Sequence, residues 1–154
     1  MLVLLAGSSA PHFVLAADEP WNAGPPEQGC PLESQVLVVF DGYTDAKVQL
    51  RLDGAVLHVL ADSEIDTSLG GDGISVDGGE LVPFSRTDGL MGMLIDRNLE
   101  QLLESFRRGS RAEVRLNFWP GWPVTGVKTA TFSLKGFTRA SVQQTACREQ
   151  AGGA

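Results

Sequence analysis

Histidine and cysteine are almost missing from this chain of 154 residues, with two of each. His12 lies in an apolar opening stretch that reads as part of a removable export signal, which leaves His58 alone in the mature protein. One histidine cannot build a zinc site with cysteines that pair with each other. Nor does any Gly-x-Ser-x-Gly elbow present a nucleophile for it to activate. His58 sits inside the apolar run Val56-Leu57-His58-Val59-Leu60, so a structural role is expected for it. A basic stripe is also lacking. The 12 basic and 19 acidic residues leave a formal net charge of −7. The densest cationic group, Arg107, Arg108 and Arg111, falls at the end of a predicted helix, where cations complement the dipole. An acidic surface repels a polyanion, so nucleic acid is not expected as a partner. No segment approaches the roughly 18 consecutive apolar residues that mark a membrane span.

Residues 1–17 carry no charge, beginning Leu2-Val3-Leu4-Leu5-Ala6 and ending Val14-Leu15-Ala16-Ala17 before the acidic Asp18-Glu19. Small residues there suit signal peptidase, with cleavage after Ala16 or Ala17. A basic n-region is absent and Gly7 interrupts the apolar run, so residues 1–17 read as a signal-peptide remnant whose translation start lies upstream. Leu5-Ala6-Gly7-Ser8 resembles a lipoprotein box, but serine has no thiol to carry the lipid. A periplasmic or secreted location is the expectation. An oxidising compartment lets the two cysteines, Cys30 and Cys147, form a structural disulfide that spans nearly the whole mature domain.

Gly and Pro, at 18 and 8 residues, punctuate the chain into short segments. Residues 18–33 read as an extended lead-in with Trp21 as an anchor, residues 34–148 as a single β-rich domain, and residues 149–154 as a disordered tail. Val36-Leu37-Val38-Val39-Phe40 is a continuous apolar strand. In the next strand Val48, Leu50 and Leu52 alternate with Lys47, Gln49 and Arg51, and Asp53-Gly54 then signals a hairpin. Further strands are expected at Ile74-Ser75-Val76, at Leu81-Val82-Pro83-Phe84 on an edge, and over residues 90–95, 112–118 and 127–134. Leu99, Leu102, Leu103 and Phe106 form one helical stripe, with Asn98 as N-cap, Gln101 as its capping-box partner and Gly109 as the stop. Thr138 starts a short terminal helix, with Phe137 and Val142 at staple spacing. The fold class is mainly β: an antiparallel β-sandwich or partly open barrel with one amphipathic helix, about 98–108, and a short C-terminal helix.

The run Asp62-Ser63-Glu64-Ile65-Asp66 alternates oxygen ligands as a calcium loop begins, but Thr67 and Gly73 stand where an EF-hand needs glycine and glutamate. A solvated acidic loop is the better account, with a looser calcium site that adds Asp72 as the alternative. No metal or cofactor is expected. The bend Trp119-Pro120-Gly121-Trp122-Pro123 sets two tryptophans on a rigid turn, which cannot readily bury both indoles. Trp119, Trp122 and the adjacent Phe118 are therefore the candidate contact residues, because rigid aromatics make low-entropy anchors at interfaces.

Four segments of the second half resemble the invasion-associated locus B family of bacterial exported proteins. They are Val82-Pro83-Phe84, Leu99-Glu100-Gln101-Leu102-Leu103 running to Arg108-Gly109, Ala112-Glu113-Val114-Arg115-Leu116, and Phe132-Ser133-Leu134-Lys135-Gly136-Phe137-Thr138-Arg139-Ala140. The resemblance spans roughly residues 74–142. Family members carry a close cysteine pair after the Pro-Phe position, whereas this chain has Ser85 and no cysteine through Leu90. The resemblance implies an exported β-rich domain associated with host interaction, with no catalytic residues to transfer. The functional expectation is a non-catalytic binding domain that contacts a protein or envelope component. A small periplasmic hydrolase with a site of scattered acids is the competing expectation.

Overall fold

The computed structural model describes residues 19–119 and 126–152. Ten strands and two α-helices follow in the order β1 (Trp21–Ala23), β2 (Leu32–Ser34), β3 (Leu37–Phe40), β4 (Asp45–Asp53), β5 (Val56–Ala61), β6 (Gly73–Val76), β7 (Arg86–Thr87), β8 (Gly92–Ile95), α1 (Leu99–Arg108), β9 (Arg111–Leu116), β10 (Lys128–Ser133) and α2 (Phe137–Gly152). One sheet has the order β1-β2-β4-β5-β8-β7 with β3 also paired to β4, and a second has the order β10-β9-β6. Every pairing is antiparallel. The described residues close no barrel, and the mainly antiparallel sandwich with one central and one C-terminal helix is what the periodicity predicts.

The alternation in β4 places Ala46, Val48, Leu50 and Leu52 in the core, opposite Leu57 and Val59 of β5. The hairpin between them closes at Gly54, whose φ of 65° favours glycine. From the small sheet Ile74, Val114, Leu116 and Phe132 enter the same core, and α1 adds Leu99, Leu102, Leu103 and Phe106. Trp21 packs edge-on to Phe137, with ring centroids 5.0 Å apart, and its indole N–H donates to the Ser133 carbonyl at 2.8 Å. Phe106 and Phe137 meet at 5.3 Å and complete an aromatic cluster joining β1, α1 and α2.

The lead-in of residues 18–33 carries two short strands. β1 and β2 pair with each other, and β2 pairs with β4, so residues 21–34 belong to the large sheet. Trp21, 2% exposed, supplies the burial that draws them in. The tail is also shorter than expected, because α2 continues through Gly152. That helix begins at Phe137 after Gly136 (φ 83°), one residue before Thr138, and Val142 is exposed, so no staple forms. Asn98 does precede α1, but in the left-handed region and without a side-chain cap hydrogen bond, so the capping box is not made. The helix ends at Gly109, whose backbone is extended, and a Cβ there would collide with the Val76 side chain. The 81–84 segment reduces to a single bridge between Val82 and Ile74, and the edge strand is β7 instead.

Cys30 and Cys147 are bonded, with Cα atoms 6.0 Å apart. Beside them the Gln144 amide donates to the carbonyls of Cys30 and Leu52, both at 3.0 Å, and ties α2 to β4 and to the segment ahead of β2. Where the resembled family places its cysteine pair, the Ser85 hydroxyl accepts the Asp96 and Arg97 amides at 3.1 and 3.2 Å.

Candidate functional site

Residues 61–66 join the two sheets. From the end of β5 the chain keeps its large-sheet neighbours for a few residues: Ala61 N–H donates to the Met91 carbonyl at 2.9 Å, and Ile65 N–H to the Leu90 carbonyl at 2.8 Å. On its other side it takes up the small sheet, with Asp66 N–H donating to the Asn117 carbonyl and Trp119 N–H donating to the Glu64 carbonyl, both at 2.8 Å. Ile65 and Phe118 form the bridge between these contacts. The Ser63 hydroxyl donates to Asp41 at 2.7 Å and brings in the β3–β4 turn.

The chain segments that meet this joint end in uncovered apolar side chains. Leu90, Met91 and Trp119 are 69%, 50% and 57% exposed, and Tyr43, Leu69 and Phe40 also face solvent. Neighbouring strands lie about 4.8 Å apart, so the backbones of Leu90 and Trp119, on either side of residues 64–65, are roughly 10 Å apart. Their side chains can cover one continuous patch. Of the residues expected to make contact, Trp119 lies here. Phe118 does not: it is fully buried and belongs to the core, because the bridge to Ile65 turns it inward. Trp122 lies outside the described residues, as do residues 1–17, where the export signal is expected. Phe40, Tyr43, Leu69, Leu90 and Met91 were not recognised from the sequence. The Asp88-Gly89 turn ahead of Leu90 marks where the strand had not yet begun, and β8 opens only at Gly92.

The acidic residues nearby hold main-chain turns. Asp41 accepts the amides of Tyr43 and Thr44 at 2.7 and 2.8 Å. The Thr44 amide, the Ser63 hydroxyl and the Tyr43 amide hold its carboxyl below the ordinary aspartate value, outweighing the effect of burial. Asp62 accepts the Lys47 amide at 2.6 Å, and Asp66 accepts the Ser68 amide at 2.9 Å. At the far end of β6, Asp77 accepts the amides of Ser110 and Arg111 at 2.9 and 3.0 Å. Among the described residues no three His, Cys, Asp or Glu side chains gather as a metal site would require. His58 is half-buried on the outer face of β5, with Nδ1 3.4 Å from Asp88. Arg107 contacts Glu100 and Glu104 at 3.2 and 3.1 Å, and Arg108 contacts Glu104 at 2.9 Å, so these cations are paired on their own helix. A groove of about 310 Å3 between residues 79–83 and α1 is lined by Val76, Leu81, Asn98, Gln101 and Ser105, with Glu80 its one carboxylate.

No protein-family model matches the chain, and no curated protein matches it in sequence. A solved structure does resemble it. Invasion associated protein B from Bartonella henselae superposes with a TM-score of 0.52, covering 84% of this chain and 94% of that one at 16% identity. At that identity the likeness is one of fold. Among the described residues no helix is long and apolar enough to cross a membrane.

Proposed function

We propose that this chain is an exported, non-catalytic binding domain related to the invasion-associated locus B proteins, acting in the periplasm or outside the cell. It contacts a protein or envelope component through the apolar end around residues 61–66. The observation that carries this reading is the exposure of Trp119, Leu90 and Met91 around one hydrogen-bonded joint. Apolar side chains gathered at the surface mark contact sites more often than scattered ones do. The bonded Cys30 and Cys147 support export, since disulfides persist where thiols are oxidised. The fold shared with invasion associated protein B supports the kinship. A hydrolase would need convergent carboxylates with raised pKa values in a pocket. Here Asp41, Asp62, Asp66 and Asp77 are engaged by main-chain amides, which favours the binder.

The test replaces Trp119 with a photo-cross-linking residue in the exported protein, with Val142 on α2, 65% exposed, as the control position. A defined adduct from position 119 and none from position 142 is expected. Equal labelling from both positions, or none from either, overturns the reading. Export itself is checked by N-terminal sequencing of periplasmic protein, which should start at Ala17 or Asp18. Recovery of intact Met1 in the cytoplasm would refute it.

A further inference from the structure

An antiparallel sheet packed on one face normally turns polar residues to the other. β3 departs from this rule. Leu37 and Val39 turn toward the core, while Val38 and Phe40 are 60% and 55% exposed on the outer face, and Val36, just ahead of the strand, is 51% exposed. Alternate strand residues stand roughly 7 Å apart, so these three form a ladder of apolar side chains at even spacing. The register sets Val38 beside Lys47 and Phe40 beside Asp45. Next to the ladder is a shallow depression of about 200 Å3 lined by Val36, Lys47, Gln49, Leu60 and Asp62. Its apolar flank is therefore bordered by two carboxylates, Asp45 and Asp62, against one amine.

Resting on the reading of the chain as a binding domain, we infer that this face receives an extended cationic segment of a partner protein, apolar at alternate positions. Even spacing along the ladder is the period at which an extended segment presents its side chains, so such an occupant meets it position for position. Asp45 and Asp62 lie where Lys or Arg at the intervening positions would reach them. The same charges disfavour the other occupants. A second copy would bring an identical acidic border and a net charge of −7 against −7. An anionic lipid surface attracts polybasic segments and repels carboxylates.

Isotope-labelled, disulfide-bonded domain is titrated with a short peptide alternating Lys with Val and Phe, with its Glu counterpart, and with phosphatidylglycerol vesicles. The expected result is amide shifts at residues 36–40, 45–49 and 60–62 with the Lys peptide alone, weakening as salt rises. Val38→Lys should abolish binding, and Phe40→Ala should raise Kd about tenfold or more. Asp45→Asn should weaken binding several-fold at an unchanged melting temperature, which separates charge recognition from folding. Equal binding of the Glu peptide, binding of the vesicles, or the same shifts arising from self-association overturns the inference. So does failure of the Lys peptide to bind. Shifts confined to the surroundings of Trp119 and Leu90 overturn it too, but leave the binding-domain reading intact. Loss of the Trp119 cross-link tests that reading separately.

Discussion

Removing the bond between Cys30 and Cys147 isolates the contribution of chain closure from that of packing. The bond closes a loop of sequence separation 117, for which the chain-entropy model gives about 4.9 kcal/mol of destabilisation of the unfolded state. What it joins is also held without it. The Gln144 amide spans the Cys30 and Leu52 carbonyls, and Phe137 at the start of α2 packs on Trp21 and Phe106. Opening the bond should therefore leave α2 on the sheet and act on the unfolded ensemble. For a domain of this size each kcal/mol moves the midpoint by about 2–4 °C, so a Cys30→Ser, Cys147→Ser double variant should melt roughly 10–20 °C lower. Its far-UV circular dichroism at room temperature should match that of the oxidised protein. The assay is paired calorimetry of the two forms at one pH. A shift below roughly 3 °C would refute the closure argument, because an entropy term of this size cannot hide within packing changes. A variant unfolded at room temperature would refute the claim that Gln144 and the aromatic cluster hold the helix.

The two tryptophans in described positions should behave oppositely. Trp21→Ala, at a 2% exposed position, should destabilise the fold by about 3–5 kcal/mol in denaturant titration. Trp119→Ala should change stability by about 0.5 kcal/mol or less, and a larger loss would return Trp119 to the core. Gln144→Leu should lower stability by about 2 kcal/mol or more, because it strips the Cys30 and Leu52 carbonyls of a buried donor. Asp41→Asn tests the acid limb. A carboxyl whose folded pKa lies below the ordinary 3.8 stabilises the fold above that value and loses this contribution as pH falls through the folded one. Stability measured from pH 5 downward should therefore fall less steeply in the variant, and parallel curves would reject this role.

Where one physical effect dominates a segment, the fold is legible in the residues. The period-two alternation of β4, the Asp53-Gly54 turn and the stripe Leu99, Leu102, Leu103 and Phe106 each place a whole face by hydrophobic burial alone, and each stands as read. The disulfide is legible from two cysteines placed near the two ends of the domain. Local features that needed a tertiary partner were misread. Residues 18–33 read as a lead-in because two three-residue strands carry too few positions to show a period, although Trp21, Cys30 and Leu32 are all buried. Asn98 had the composition of a cap, but its left-handed backbone, φ 55°, leaves no side-chain bond to the helix amides. The helix is held by its buried stripe instead.

The candidate site was hidden for a related reason. In Val36-Leu37-Val38-Val39-Phe40 every residue is apolar, so the sequence contains no sign of which face is uncovered, and a continuous run reads as buried on both faces. The tertiary arrangement decides otherwise, because β3 is packed on one face only and turns Val38 and Phe40 outward beside Lys47 and Asp45. Residues 62–66 were obscured by their acids. Alternating oxygens suggest a ligand loop, yet the backbone there is hydrogen-bonded to both sheets, and the carboxylates of Asp62 and Asp66 close turns with nearby amides. A segment joined to both sheets fixes the ends of the strands around it, and side chains at those ends have no further layer to pack against. At this joint Ile65 and Phe118 turn into the core while Leu90, Met91 and Trp119 are left exposed, a division set by the pairing between the two sheets that composition alone does not reveal.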